Sequence, residues 1–192
     1  MRNIEKFYDN TKDAKPNNNV KKFIELKTET GNAIELGCGA GRDTIYLIKN
    51  GWKVLAIDKE DVSNFIIEKL TDEELNRFRF QKQNFEKLEL KNNNLIVANF
   101  SIPFCCKSNF EELWNKITHS ILQEGYFVGN FFGLNDEWAK IKNDMTFLSK
   151  EDVLRLFNDF EIISFKEIEK DMKTGLGKMK HWHIFDVIAK KK

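Results

Sequence analysis

The sequence predicts an α/β protein built on a doubly wound, mostly parallel sheet that helices cover on both faces. Apolar stretches of strand length alternate with amphipathic segments through most of the chain, which is the pattern of repeated strand–helix–strand units. The last two strand-like stretches are joined by a loop without a helical pattern, so we expect them to form an antiparallel C-terminal hairpin. A length of 192 residues fits one domain over residues 1–192, large enough to bury a core.

The strands and helices follow from the spacing of apolar residues and from their flanking signals. Seven strands are predicted, over residues 32–36, 52–57, 78–83, 95–100, 126–132, 160–167 and 182–189. Helices are predicted over residues 20–26, from Asp43 to Asn50, over 62–70 with a further turn reaching Arg77, over 110–122 and over 152–157. Asn50-Gly51 supplies a left-handed helix stop. Ser149, followed three residues later by Asp152, predicts a capping box.

Composition and charge limit the classes of partner that we expect. The chain has 31 basic and 30 acidic residues, a net charge of +1, so neither nucleic acid nor an anionic membrane is expected as the main partner. No stretch approaches the ~18 apolar residues of a membrane span, and the polar beginning of the chain has no signal-peptide core. Cys38, Cys105 and Cys106 lack disulfide spacing. These features predict a soluble, cytoplasmic protein.

The first predicted strand runs into a glycine-rich loop, Glu35-Leu36-Gly37-Cys38-Gly39-Ala40-Gly41. Three glycines within five residues let a ligand approach the backbone closely. A dinucleotide loop requires glycine or alanine at the sixth position counted from Gly37, and this chain has Arg42 there. A P-loop would continue with Gly-Lys-Ser/Thr, which does not follow. The spacing therefore favours a nucleoside that carries no phosphates.

Asp58 closes the second predicted strand and supplies the other half of a nucleoside site. Its carboxylate can accept hydrogen bonds from both hydroxyls of a ribose. Dinucleotide-binding enzymes have an acidic residue at a similar distance from their glycine loop, so Asp58 does not separate the two classes. A nicotinamide-dependent oxidoreductase and a non-catalytic nucleoside-binding module of the same fold therefore remain as alternatives.

Taken together, these residues resemble the class I S-adenosylmethionine-dependent methyltransferases. The resemblance rests on the Glu35–Gly41 loop, on Asp58, on Asn84-Phe85 after the third strand and on Asn99 at the exit of the fourth. It covers the chain after residue 20. It implies a seven-stranded Rossmann-like sheet whose seventh strand is antiparallel beside the sixth, and S-adenosylmethionine as the cofactor.

The resemblance also implies which residues bind the cofactor. They are Glu35, Gly37, Cys38, Gly39, Gly41, Asp58, Lys59, Asn84, Phe85, Asn99 and Phe100. Backbone groups of the glycine loop would line the methionine moiety, and Asp58 would hold the ribose with Lys59 at its flank. The Asn84 amide would reach the adenine edge, with Phe85 near the ring. Asn99 and Phe100 would lie under the methionine end. Many relatives have aspartate in place of Asn84, whose amide oxygen can still accept a hydrogen bond.

More narrowly, Gly41-Arg42-Asp43-Thr44 and the ending Lys180-His181-Trp182-His183-Ile184-Phe185 look like the small tellurite-resistance and thiopurine methyltransferases. We therefore expect a small-molecule acceptor, a soft anion or a thiol, methylated by in-line displacement. The residues expected on the acceptor side are Tyr8, Trp138, Lys180 and His181, with Lys178 and Lys180 attracting an anion. A lid is expected from residues 1–19, the loop 133–138 and the loop 172–183, with residues 1–30 as an N-terminal helical segment.

No catalytic side chain and no metal site are predicted. The methyl donor is already activated, so the protein has mainly to align two reactants, and a base is needed only if the acceptor must lose a proton. His181 and His183 point to the same face of a predicted strand. No third ligand at plausible spacing accompanies them in the sequence, and roles in structure or acceptor binding are favoured.

Overall fold

The computed structural model describes residues 3–27 and 29–192, and these form helices around one mixed sheet. The strands are Asn32–Leu36 (β1), Lys53–Asp58 (β2), Phe78–Lys82 (β3), Asn93–Ala98 (β4), Ile121–Gly133 (β5), Phe147–Leu148 (β6), Phe160–Lys173 (β7) and Met179–Lys191 (β8). The α-helices are Asn3–Thr11 (α1), Asn18–Leu26 (α2), Arg42–Lys49 (α3), Ser63–Ile67 (α4), Asp72–Leu75 (α5), Lys107–Ser120 (α6) and Lys150–Leu156 (α7). Short 3₁₀ turns lie at Phe85–Lys87, Ile102–Phe104 and Glu137–Lys140.

The predicted fold class is confirmed. The strand order is β3-β2-β1-β4-β5-β8-β7, with the two-residue β6 pairing with β5. Strands β1 to β5 pair in parallel, whereas β8 is antiparallel to both of its neighbours. Because the five parallel strands point the same way, their carboxyl ends share one edge of the sheet. This carboxyl edge carries the glycine loop after β1, Asp58 at the end of β2, and Asn99 after β4.

Helices cover both faces of the sheet because each buries an apolar stripe against it. On one face α6 buries Phe110, Leu113 and Ile117, at the spacing of a single helix face, in a cluster that includes Phe131 of β5. On the other face α2 and α3 pack against β1 and β2, and Phe23 lies against Trp52 with ring centroids 5.6 Å apart. No helix in the described ranges is long and apolar enough to cross a membrane.

The C-terminal hairpin is longer than the sequence predicted. Its two strands have 14 and 13 residues and meet in the turn 174–178, where Gly177 has φ +81°. The segment 172–183, predicted as a lid loop, is therefore mostly strand. The sequence of this segment shows no strand pattern, because β7 is an edge strand with most of its side chains exposed and no regular apolar face.

The N-terminal segment 1–30, which the sequence predicts to be helical, contains the helix predicted over 20–26 and, in addition, α1. Its docking explains why it forms: the Phe7 ring covers Gly175 in the β7–β8 turn so closely that an added Cβ there would come within 2.4 Å. Asn10 Nδ2 donates to the Gly175 carbonyl at 3.2 Å. Helix α1 therefore lies over the carboxyl edge. The helix predicted over 62–70 corresponds to α4, and the further turn predicted to reach Arg77 corresponds to α5, which Thr71 caps.

Candidate cofactor and acceptor site

The three glycines after β1 have positive φ angles, at +70° for Gly37, +55° for Gly39 and +83° for Gly41, which disfavour any other residue. Two of them are also required by packing. An added Cβ at Gly37 would come 2.4 Å from the Ser101 side chain, and one at Gly41 would come 2.2 Å from Ile66. Beside Gly39 the nearest atom is 3.8 Å away, on the ring of an α1 tyrosine. Gly39 is thus the position where a ligand can approach the backbone.

The backbone N–H groups of this loop are largely used within the protein. Gly37 and Cys38 both donate to the carbonyl of the residue before Asp58, at 2.8 and 3.1 Å. Gly39 donates to Asp58 Oδ2 at 2.9 Å, and Gly41 donates to the Cys38 carbonyl at 3.0 Å. A pyrophosphate needs such donors, whereas an ammonium group needs the carbonyl oxygens that remain. The loop therefore suits the amino-acid arm of a nucleoside better than a dinucleotide.

Asp58 is buried and holds the site together. Its Oδ1 accepts hydrogen bonds from the Tyr8 hydroxyl at 3.2 Å and from the Glu60 backbone N–H at 3.1 Å, beside the bond from Gly39 to Oδ2. Burial and the Asp58 charge raise the pKa of Tyr8 well above its usual range, so its hydroxyl remains a donor. Tyr8, predicted on the acceptor side, lies instead on the carboxylate expected to hold the ribose.

The predicted adenine residues lie near Asp58 but differ in what they contact. Lys59 and Asn84 are exposed, and the side chain of Asn84 makes no hydrogen bond within the described residues. The residue before it is tied to Asp58 through a backbone bond of 2.8 Å. Phe85 packs toward α6, where with Leu113 it lines a cavity of about 90 Å³. The Asn84 amide is free to meet a ligand, and Phe85 partly serves the core.

Glu35, predicted in the cofactor site, supports the loop from below. It is buried, accepts a hydrogen bond from the Thr44 hydroxyl in the first turn of α3, and is also hydrogen-bonded to the Thr44 backbone. Burial first, and then the neighbouring Asp43 carboxylate, raise the pKa of Glu35. A carboxyl group at a helix N-terminus satisfies donors that the helix itself leaves open. Glu35 thus positions α3 and the loop.

Asn99 lies in a buried network of amides. Its Nδ2 donates to Asp43 Oδ2 at 3.0 Å and to Asn19 Oδ1 at 3.1 Å. Its Oδ1 accepts from Asn19 at 2.7 Å and from Asn130 at 3.2 Å. The Asp43 carboxylate also accepts two bonds from Asn17, at 2.7 and 2.6 Å. The Asn99 amide has used its hydrogen-bonding capacity. Its side chain connects α2, α3 and β5, and its predicted place under the methionine end of the cofactor stays a prediction.

Phe100 follows in a left-handed conformation, φ +51°, which is unusual for a residue with a side chain. Its N–H donates to Asn130 Oδ1 at 2.9 Å, which holds this conformation. The ring lies 5.7 Å from that of Trp182, and the Arg42 guanidinium lies over it at 5.8 Å. Phe100 therefore lies at the end of the sheet beyond β4. Its neighbour there, Arg42, was not among the predicted site residues.

Lys180 is enclosed by aromatic rings. Its Nζ lies 3.6 Å from the ring centroid of Trp182, 4.4 Å from that of Trp138 and 5.3 Å from that of Phe132. It pairs with an Asp136 carboxylate oxygen at 2.5 Å, and its side chain is 1% exposed. Burial lowers the pKa of Lys180. The prediction that Lys180 attracts an anion is wrong, because the ammonium is already paired and covered. Trp138, as predicted, stands at the carboxyl edge.

His181 points to the opposite face of β8 from Lys180. Its Nδ1 lies 2.8 Å from Asp171 Oδ1 and its Nε2 lies 3.4 Å from Glu169 Oε1. Asp171 and Glu169, in that order, raise the pKa of His181. The imidazole is thus paired on both sides along the hairpin, away from the aromatic rings around Lys180. In the structure it forms a contact between β7 and β8, and its role on the acceptor side stays a prediction.

The structure brings two carboxylates of β7 next to His183, although no third metal ligand was found near the histidines in the sequence. Candidate ligand atoms of Glu167, Glu169 and His183 lie within 4.8 Å of one another. The Asn135 backbone N–H donates to His183 Nδ1 at 3.2 Å, so Nε2 carries the proton of the neutral ring and donates to Glu167 at 3.1 Å. A metal ion would need the lone pair of Nε2. The three side chains are therefore arranged as hydrogen-bonding partners and not as metal ligands.

Comparisons with known proteins show the family of the chain and its fold. The family model described as tellurite resistance protein TehB matches residues 2–177. The crystal structure of TehB from Haemophilus influenzae superposes with a TM-score of 0.76 at 15% identity, over 92% of this chain and 62% of that one. A Burkholderia thailandensis 1,6-didemethyltoxoflavin-N1-methyltransferase, solved with 1,6-didemethyltoxoflavin and S-adenosylhomocysteine, gives a TM-score of 0.68 at 14% identity, over 91% and 76%.

A structure from Methanosarcina mazei, titled as one of the SAM-dependent methyltransferases, matches with a TM-score of 0.65 at 16% identity, over 88% of this chain and 96% of that one. The sequence comparison with curated proteins finds no match. The fold is the one found in these solved methyltransferases. The chain belongs to the TehB family. It spans 62% of the length of the Haemophilus protein.

Proposed function

We propose that the protein transfers a methyl group to a small-molecule acceptor by in-line displacement, with the acceptor bound beyond β4 and β5. The observation that carries this proposal is an aromatic wall beside the glycine loop. Phe100 and Trp138 are half-buried, and Phe104 is 51% exposed with its ring 6.1 Å from that of Trp138. Exposed aromatic rings at a strand exit suit a small acceptor, because they exclude water from one side of it.

The cofactor is proposed to lie across the carboxyl edge, with its ribose hydroxyls on Asp58. The carbonyl oxygens of Gly37 and Gly39 would accept hydrogen bonds from its ammonium group, and the free amide of Asn84 would meet the adenine. S-adenosylmethionine, when bound, supplies an activated methyl group. The residues of the chain align the acceptor with it, and such alignment alone can contribute several kcal/mol. An anionic acceptor would need no base.

Residues 1–30 are proposed to act as a lid within a single domain of residues 1–192. Helix α1 reaches from Asp58, through the Tyr8 hydroxyl, to Gly175 in the β7–β8 turn. A segment that touches both ends of the carboxyl edge can close over bound ligands and keep water out. The third predicted lid segment, 172–183, is retained in a shorter form, as the turn 174–178.

The acceptor class is tested by measuring release of S-adenosylhomocysteine from S-adenosylmethionine. Inorganic tellurite is the first acceptor to test, because the family and the Haemophilus relative are described by tellurite resistance; selenite, thiols, RNA and protein complete the panel. Turnover with a small molecule is expected. Turnover with RNA or protein and with no small molecule would refute the proposal.

The aromatic wall is tested in the same assay with Phe104→Ala. We expect KM for the active acceptor to rise roughly tenfold while S-adenosylhomocysteine affinity stays within twofold, since the loss of ring contact falls on the acceptor alone. Leu154→Ala removes an exposed apolar side chain from α7 and is the matched control. If the Phe104 variant lost as much affinity for S-adenosylhomocysteine as for the acceptor, the aromatic wall could not be assigned to the acceptor alone.

A further inference from the structure

The cations near the carboxyl edge differ in whether they are already paired. Lys180 has Asp136 as its partner, and His181 lies between two carboxylates. Arg42 is half-buried and makes no ion pair in the parts of the chain that the structure describes, although the chain has 30 acidic residues. A half-buried guanidinium without an anionic partner is unusual, because its donors and its charge are only partly hydrated.

The position of Arg42 is set by the residues around it. It is the first residue of α3, directly after Gly41, and its guanidinium lies over the Phe100 ring at 5.8 Å. Contact with the face of a ring holds the group in place and leaves its N–H edges free for an oxyanion. The Phe100 ring is held in turn by the hydrogen bond from its own N–H to Asn130. The site is therefore a positioned cation beside the aromatic wall.

The nearest carboxylates do not compete for this cation. Asp43, the next residue, accepts three hydrogen bonds from Asn17 and Asn99 and is buried on the side of α2. Glu35 accepts its bonds from Thr44 at the start of α3. Both carboxylates thus have their own donors. An incoming anion would meet the donors of Arg42 without displacing an internal partner.

We propose that Arg42 binds the anionic group of the methyl acceptor and so selects oxyanions over neutral acceptors. This inference rests on the proposed function, because it places the acceptor beside Phe100. The carboxylate of the cofactor's methionine arm is also an anionic group, and in the proposed placement it would lie near the glycine loop. The acceptor anion and the cofactor carboxylate are distinguished by measuring which ligand loses affinity when the charge of Arg42 is removed.

The test compares Arg42→Gln, Arg42→Lys and the control Arg155→Gln, which removes an exposed guanidinium of α7. Tellurite is titrated into each protein saturated with S-adenosylhomocysteine, and its KM is measured separately. Arg42→Gln is expected to weaken tellurite binding and to raise KM roughly 10- to 100-fold, the range for losing a hydrogen bond to a charged group. Affinity for S-adenosylhomocysteine should stay within twofold. Arg42→Lys should recover part of the loss.

Two results would overturn the inference. In the first, Arg42→Gln weakens S-adenosylhomocysteine at least tenfold and leaves 5′-methylthioadenosine, which lacks the carboxylate, unchanged; Arg42 would then belong to the cofactor arm. In the second, the variants bind tellurite as the wild type does, or the wild type does not bind it at all. Turnover of a neutral acceptor without anion binding would overturn this inference and leave the proposed function intact.

Discussion

Replacing Asp58 with alanine should weaken cofactor binding strongly and folding mildly. In the free protein the carboxylate accepts from the Tyr8 hydroxyl and from the N–H groups of Gly39 and Glu60. A carboxylate has about four acceptor positions, so one is open and a second becomes open when Tyr8 leaves. Two ribose hydroxyls need both of them. Binding of the ribose therefore requires that the Tyr8 hydroxyl give up its bond.

The magnitude follows from that exchange. Two hydrogen bonds to a charged group contribute about 3–6 kcal/mol, and loss of the Tyr8 bond returns about 1 kcal/mol. The net cost of Asp58→Ala to cofactor affinity is then about 2–5 kcal/mol, which corresponds to roughly 30- to 5000-fold in Kd. The N–H groups of Gly39 and Glu60 also lose their acceptor. Because these two bonds are partly exposed, water replaces much of them and the stability cost should be about 1–2 kcal/mol.

Calorimetric titration with S-adenosylhomocysteine and thermal unfolding measure the two effects separately. Asp61→Ala is the matched control, because Asp61 is a nearby carboxylate that accepts its bonds from Ser63 and is exposed. We expect the control to bind as the wild type does. A folded Asp58→Ala protein that binds S-adenosylhomocysteine within twofold of wild type would refute the placement of the ribose on Asp58.

Two further substitutions test the electrostatics of the fold. Tyr8→Phe removes the hydroxyl that competes for Asp58 and should tighten S-adenosylhomocysteine binding roughly 2- to 10-fold by calorimetry, whereas weaker binding would mean that Tyr8 contacts the ligand. Burial raises the pKa of Asp186 from 3.8 to about 6, so the native state holds its proton more tightly than the unfolded chain and loses stability as the pH rises from about 4 to above 6. Asp186→Asn should therefore stabilise the protein by about 1–3 kcal/mol at pH 7–8 and have little effect near pH 4 in denaturant titrations; a difference independent of pH would contradict this.

The fold and the cofactor loop could be predicted because their signals are local. Strand periodicity, the glycine spacing and the Ser149–Asp152 capping box each lie within a few residues, and the capping box is present with bonds of 3.1 and 3.2 Å. Helix α1 could not be predicted in this way. Its nine residues are too few for a stable isolated helix, and its docking site, Gly175, lies 165 residues from Asn10.

The pairing of Lys180 could not be predicted for a related reason. A lysine near the end of a chain has the same sequence signal whether it faces solvent or is buried, and Lys180 is buried because Asp136, 44 residues earlier, pairs with it. Asn99 is satisfied by Asn19, 80 residues away, and by Asp43, 56 residues away. Residue type identifies a group that can bind a ligand. Whether that group is free depends on long-range contacts.

Hydrogen-bond satisfaction therefore separates structural polar groups from ligand-binding ones at this edge. A buried polar group that already has its partners must break a bond to bind a ligand, whereas an unpartnered one gains a bond. The Ser101 hydroxyl is 5% exposed, has no partner among the described residues, and packs against Gly37. Such a group costs about 1–3 kcal/mol when left unpaired. Together with Arg42 and Asn84, the Ser101 hydroxyl identifies the part of the carboxyl edge where a ligand can form hydrogen bonds without breaking existing ones.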